Sequence, residues 1–205
     1  SFSMSPKYYS IDLYDDEFHD KTGNGTKEKP YVIATDLQLA RLAYEVNNSS
    51  TKENFVGKYF VLSDSIDLSS ALWMPIGAWN NATERYFFGK FDGKGHTIKN
   101  MRIEWRTDLI KWNAWGLFSR ILGKSTTEAG FGCITNLIFQ DAEIQKKAGY
   151  QPIGDGINIG IAAGEVYNNG ELSNIIIRNS KITDNEESYT PGLNGNYRIG
   201  GVLGN

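Results

Sequence analysis

Along most of this chain apolar residues come in short alternating bursts, not at the three- and four-residue spacing of helices. One early stretch is the exception. Thr35-Asp36-Leu37-Gln38 has the form of a capping box, and Leu37, Ala40, Leu42, Ala43 and Val46 then mark an apolar helical stripe ending near Asn47-Asn48. Downstream, the bursts are β-branched and punctuated by Gly and Asn, which predicts strands separated by tight bends.

The bursts repeat. Thr97-Ile98-Lys99-Asn100-Met101-Arg102-Ile103, Cys133-Ile134-Thr135-Asn136-Leu137-Ile138-Phe139 and Glu171-Leu172-Ser173-Asn174-Ile175-Ile176-Ile177 share an apolar residue two before an Asn and apolar residues one and three after it. The Asn-to-Asn steps are 36 and 38 residues. A second marker, Trp115-Gly116-Leu117-Phe118, returns as Ile159-Gly160-Ile161-Ala162-Ala163-Gly164 and Ile199-Gly200-Gly201-Val202-Leu203-Gly204, with steps of 44 and 40. Pro75-Ile76-Gly77 and Pro152-Ile153-Gly154 stand 77 residues apart, close to two periods. A propeller blade has a similar length but needs four antiparallel strands joined by hairpins. The third copy offers about three strand-like pieces, at 174–177, 181–183 and 198–203, which suits one turn of a parallel β-helix. The expected fold is therefore all-β: a right-handed parallel β-helix, or solenoid, with an N-terminal capping α-helix. Stacked at about 4.8 Å per copy, Asn100, Asn136 and Asn174 would form a structural ladder, each side-chain amide bonding to the next inside a bend. Isolated turn-forming Asn residues are the alternative. Gly in the second marker lets neighbouring backbone approach closely.

These residues resemble a known family. Trp115 to Phe118, the Gly-rich echoes at 160–164 and 200–204 and the Ile-x-Asn-Leu segments between them are similar to the GLUG repeat of surface proteins of gut anaerobes. The same repeat occurs in the N-terminal region of some immunoglobulin A proteases. Gly25-Thr26-Lys27-Glu28-Lys29-Pro30-Tyr31-Val32-Ile33, Ser65-Ile66-Asp67-Leu68, Trp73-Met74-Pro75-Ile76-Gly77 and Phe91-Asp92-Gly93-Lys94-Gly95-His96-Thr97-Ile98 resemble the leader that precedes those repeats. The resemblance covers about residues 23 to 205 and departs from the pattern at Ser119 and Ala162. It implies an architecture and a surface setting more than an activity.

Three regions follow. Residues 1–22, with Asp12, Asp15, Asp16 and Glu17, read as an acidic arm or linker, with a metal site as the less favoured reading. Residues 23–57 form a leader with the capping helix, and 58–205 the solenoid repeats, whose halt at Gly204-Asn205 directly after a repeat strand reads as a truncated stack. The opening residues lack the form of a signal peptide, and a removed leader fits an extracellular or cell-surface, bacterial, secreted protein.

A net charge of −3, from 21 basic and 24 acidic residues, excludes the one-sign field that nucleic acid needs. No run approaches the length of a spanning helix, so no membrane insertion is expected of this segment. A lone cysteine, Cys133, forms no internal disulfide and reads as an inert, buried thiol. Sequons stand at Asn24, Asn47, Asn48 and Asn81.

Parallel β-helices include polysaccharide lyases and hydrolases, which gather carboxylates on one face at repeat spacing. Asp92, Asp141, Asp155 and Asp184 lie in unlike contexts. Asp92-Gly93-Lys94-Gly95 reads as a hairpin turn in preference to a catalytic Asp92–His96 pair. His19 and His96 have no ligand-spaced companions, so no metal is expected; calcium at Asp155-Gly156-Ile157-Asn158 is the minor alternative. No nucleotide-binding motif appears and no cofactor is expected. Aromatic residues carry the functional lead: Trp79, Trp105 and Trp112 are the candidate ligand-binding residues, with Trp73 and Trp115 assigned to the core. The reading is a non-catalytic, adhesin-like surface module that recognises glycan or a host or surface protein. A structural spacer within a larger surface protein is the alternative, and a carbohydrate-active enzyme a distant third.

Overall fold

A computed structural model describes residues 6–14, 23–48, 55–78, 84–106, 114–123, 132–149, 157–183 and the backbone of 197–199. In chain order the first elements are β1 (Tyr31–Ile33), α1 (Asp36–Asn47), β2 (Tyr59–Leu62), β3 (Ile66–Asp67), β4 (Lys90–Asp92), β5 (Thr97–Lys99), β6 (Arg102–Trp105), β7 (Ala114–Trp115) and β8 (Phe118–Leu122). They are followed by β9 (Cys133–Gln140), β10 (Glu143–Lys146), β11 (Ile157–Ile159), β12 (Ala163–Tyr167), β13 (Glu171–Arg178), β14 (Lys181–Thr183) and β15 (Tyr197–Ile199).

Every pairing between these strands is parallel. The largest sheet runs β1-β2-β4-β9-β5-β3 with β13 added on β9, and the smaller ones are β14-β10-β6, β15-β11-β7 and β12-β8. The copy from β9 to β12 thus gives one strand to each sheet, and the copy before it gives two strands, β4 and β5, to the largest sheet and one to each of the others, joined by the long connections that parallel strands require. The 44- and 40-residue steps of the second marker are the observed register, since Ile159 sits between Trp115 and Ile199. Within that marker Gly116 is forced: a Cβ there would lie 2.4 Å from the Gly160 carbonyl oxygen.

Asparagine register corrects the sequence reading. Asn136 and Asn174 are stacked, Asn174 Nδ2 donating to Asn136 Oδ1 at 2.7 Å. The third member of that column is Asp92, whose Oδ1 accepts from Asn136 Nδ2 at 3.1 Å. Asn100 belongs elsewhere: Lys99 pairs with Gln140, and Gln140 with Arg178, which sets Asn100 level with Asp141 and Asn179. In this second column Asn100 Nδ2 donates to Asp67 Oδ1 at 3.0 Å, and Asn179 Nδ2 to Asp141 Oδ1 at 2.5 Å. The columns mark two corners. Asn136 and Asn174 turn at φ of 56° and 52°, and Asn100, Asp141 and Asn179 at 59°, 57° and 44°, a region that Asn and Asp tolerate better than other side-chain-bearing residues.

The same geometry corrects the hairpin at Asp92 to Gly95. β4 and β5 flank that turn, yet both pair in parallel with β9, at 133–135 and 138–140 respectively. The turn is a widened version of the corner that Asn136 makes with one residue.

Apolar rows run across the copies: Phe60, Phe91, Ile134 and Leu172 in one, Ile98, Phe139 and Ile177 in another, and Ile103, Ile144 and Ile182 in a third. They form one core with the buried face of α1. Helix α1 begins as its sequence predicts, Thr35 Oγ1 accepting from the Gln38 N–H at 3.1 Å. The return bond lands one residue early, with Gln38 Oε1 accepting from the Ala34 N–H at 2.8 Å. Leu39, Ala40, Leu42, Ala43 and Val46 are buried, whereas Leu37, counted in the stripe, is 36% exposed. The helix end is clasped by Asn47, whose Nδ2 donates to Pro75 O (2.9 Å) and whose Oδ1 accepts from Gly77 N and Ala78 N (both 2.8 Å).

Part of the acidic arm is packed, which corrects the linker reading for 6–14. Tyr8 bridges to Leu72 in parallel, the Tyr9 ring is fully buried, and its hydroxyl donates to Asp36 Oδ2 at 2.6 Å. Asp12 is used locally, accepting from Tyr8 N at 2.9 Å. His19, Asp15, Asp16 and Glu17 lie outside the described residues, as do Asp184, Pro152-Ile153-Gly154 and 200–205.

Candidate functional site

Burial divides the tryptophans. Trp105 is 1% exposed on the inward side of β6, so its faces are closed to a glycan and it leaves the candidate set. The period of two explains this, because Ile103 and Trp105 alternate with Arg102 and Glu104 and take the core side. Trp73 and Trp115 are core residues as expected, each 1% exposed. Trp79 and Trp112 lie outside the described residues.

The structure assembles a polar and aromatic cluster that the sequence did not announce. Arg120 on β8 and Glu165 on β12 share a register position, and Arg120 Nε lies 3.3 Å from Glu165 Oε2, with both side chains under 5% exposed. The guanidinium carbon sits 4.2 Å from the centroid of the Tyr86 ring and 5.2 Å from that of Tyr167. The two rings meet edge to face at 6.3 Å. Arg120 also donates to the Tyr86 hydroxyl at 3.0 Å, and that hydroxyl donates to Glu84 Oε2 at 2.9 Å. Glu165 accepts from the Tyr167 hydroxyl and from Asn158 Nδ2.

Burial pushes the Tyr86 hydroxyl up to about 12 and raises that of Tyr167, both helped by the neighbouring carboxylates. Both phenols therefore stay protonated at neutral pH. The cluster offers half-buried ring edges, a fixed cation and fixed acceptors, which is recognition chemistry. One cue was present: Arg120 and Glu165 each stand two residues after the aligned positions Phe118 and Ala163.

A second aromatic group lies on α1. Tyr14 stacks on Tyr44 at 4.2 Å and 12°, and Arg41 lies over both rings while pairing with Glu45 at 3.2 Å. Tyr14 is 38% exposed. By contrast the cleft lined by Leu72, Arg102, Ile103, Glu104, Glu143 and Gln145, at about 20 Å³, has room for little more than one water.

The remaining candidates are occupied by structure. Asp92 accepts from Lys94 N at 2.8 Å and from Asn136, so its carboxylate holds the corner. Cys133 is half-buried and burial pushes its thiol up, away from the reactive thiolate. Among the described residues no group of three or more His, Cys, Asp or Glu is arranged to hold a metal ion; Asp155 and Gly156 lie outside them. No helix of the described residues is long and apolar enough to cross a membrane.

No protein-family model and no solved structure matches this chain. The chain is similar to halomucin of Haloquadratum walsbyi (strain DSM 16790 / HBSQ001), with 31% identity over 196 residues. That match takes in 89% of this chain and spans 2% of halomucin.

Proposed function

We propose that the chain is a right-handed parallel β-solenoid of GLUG-like repeats, acting as a non-catalytic binding module of an extracellular or cell-surface protein. The observation that carries the fold is the in-register parallel stacking of β4, β9 and β13, with Asp92, Asn136 and Asn174 bonded in a column. The relative's name, which likens it to mucins, supports a surface setting. A glycan or a surface protein is the ligand class, met by aromatic side chains with Trp79 and Trp112 foremost and the half-buried Tyr86 and Tyr167 beside Arg120.

A glycan array and a binding screen against surface proteins test this, repeated with Trp79→Ala/Trp112→Ala and Tyr86→Ala/Tyr167→Ala. Binding by the parent that drops at least about tenfold in one double variant is expected. A spacer is the second reading, favoured by the burial of Trp73, Trp105 and Trp115 in the core. Absence of binding by the parent to either class would establish it over the binding module. Turnover of any polysaccharide would overturn the non-catalytic assignment.

A further inference from the structure

Three of the sequons, at Asn24, Asn47 and Asn48, begin on described residues, and the fold treats their side-chain amides differently. Asn47 is buried, with Nδ2 donating to Pro75 O at 2.9 Å. Asn48 caps α1, and its Nδ2 donates to Tyr44 O at 2.8 Å. Asn24 is exposed, and among the described residues its Nδ2 donates to nothing. The turn around it is firmly built. Gly25, the middle residue of the tripeptide, is buried at a φ of 77°, where a Cβ would lie 2.5 Å from the Tyr31 ring. Its carbonyl accepts from Tyr59 N at 2.8 Å, and Asn24 N and Gly25 N both donate to Lys29 O, at 3.0 and 2.9 Å. With Gly25 held inside, Asn24 and Thr26 on either side are both exposed. Thr26 Oγ1 accepts from Lys29 N at 3.1 Å, which leaves its own proton for Asn24 Oδ1 at 2.7 Å; the Thr26 N–H reaches the same oxygen at 3.2 Å.

We propose that Asn24 is a modification site, the acceptor of an N-linked oligosaccharide attached to the folded chain. The inference rests on the extracellular setting proposed above, where a transferase and a polyprenyl-phosphate-linked oligosaccharide would meet the protein. In the step, Nδ2 of Asn24 attacks C1 of the first sugar. The Nδ2–C1 bond forms, the C1–O bond to phosphate breaks, and the lipid phosphate leaves with the bonding pair. One Nδ2 proton passes to a base of the transferase, and nothing is oxidised or reduced. An amide nitrogen is a weak nucleophile because its lone pair is shared with the carbonyl. Two donors on Oδ1 favour the imidate form, in which charge rests on oxygen and Nδ2 has given up a proton. Thr26 is therefore the positioning residue for this step. The product also fits the fold, since Thr26, Lys27, Glu28 and Lys29 are exposed beside Asn24 and a bulky sugar there meets solvent. At Asn47 the same bond would need the helix end to open first.

The test incubates the folded chain with a single-subunit oligosaccharyltransferase and its polyprenyl-phosphate-linked oligosaccharide, and locates the sugar by peptide mass. Ser49→Thr is introduced so that Asn24 and Asn47 are followed by the same hydroxyl. The expected result is occupancy of Asn24 at least about tenfold above that of Asn47, which only local opening exposes. Thr26→Ala should lower the occupancy of Asn24 to the background set by Asn24→Gln, and Thr26→Ser should restore it. A bare Asn24 in the folded chain overturns the proposal, as does equal occupancy of Asn24 and Asn47. Undiminished occupancy of Asn24 in Thr26→Ala overturns it too, because the hydroxyl would then position nothing. Biotin labelling of the surface of the producing cell separates the outcomes: an unlabelled chain that accepts sugar at Asn24 in the incubation sinks the extracellular reading, whereas a labelled chain whose Asn24 stays bare sinks this proposal alone.

Discussion

Asn136 does two separable jobs, one through its backbone and one through its amide. Its φ of 56° suits Asn and Gly, and its side chain links Asp92 to Asn174. Asn136→Gly keeps the corner and loses the link, at about 1 kcal/mol. Asn136→Ala loses the link and also strains the corner, for a total of about 2–3 kcal/mol. Urea unfolding of the two variants measures the difference; equal losses would mean that the corner carries no strain. The second column is tuned by pH. The Asn100 amide, bonded to Asp67, holds that carboxyl below its ordinary 3.8, with Ser69 and Lys99 assisting. Because the folded value is the lower one, the stability gained is present above about pH 4 and fades as pH falls through the folded value. Asn100→Gly, which keeps the backbone at φ 59°, should therefore lower the melting temperature at pH 6 and lose that effect progressively as pH falls through the folded value. The effect is small because Asp67 faces solvent. A gap of equal size at all pH values would assign it to the backbone instead.

At the scale of elements, the β8–β12 pair buries an ion pair against the flank of the core. Removing one partner strands the other charge, so Arg120→Ala should cost about 3–5 kcal/mol, while Arg120→Met with Glu165→Leu should cost much less. Equal losses in the single and double variants would show that the pair is solvated. This cluster was almost illegible beforehand, because the segment of Tyr86 carries neither repeat marker, although Phe87 bridges to Ile121 in parallel and so sets Tyr86 level with Arg120. The second marker was legible at its start, since Trp115, Ile159 and Ile199 are equivalent in both sequence and register, and slips by one residue after it, Phe118 pairing with Ala163 and not Ala162. The first marker misled by one corner. In the early copy that corner is spread over Gly93 to His96, which removes its Asn and lets Asn100, from the next corner, imitate it. Trp105 misled for another reason: a Trp among charged neighbours suggests a surface, but alternation along β6 sends it inward.

For the whole molecule, the parallel ladders mean that few stabilising contacts are local. Strand partners in the last copies are tens of residues apart, as are the corner bonds at separations of 38 and 44 residues. Closing such loops precedes any reward, so refolding from urea should take milliseconds to seconds, as in non-local β proteins; a microsecond phase carrying the full amplitude would contradict that topology. Helix α1 joins this body through its buried face and through Asn47, which is committed to three main-chain groups at 75, 77 and 78. Asn47-Asn48-Ser49 is also an acceptor sequence for N-linked sugar. A eukaryotic secretory host that attached an oligosaccharide to the Asn47 nitrogen before folding would put a sugar on a side chain that the fold leaves 2% exposed, and leave a species unable to mature. Recombinant production by that route calls for Ser49→Ala with Ser50→Ala, which together erase the overlapping acceptor sequences at Asn47 and Asn48 and spare the Asn47 amide.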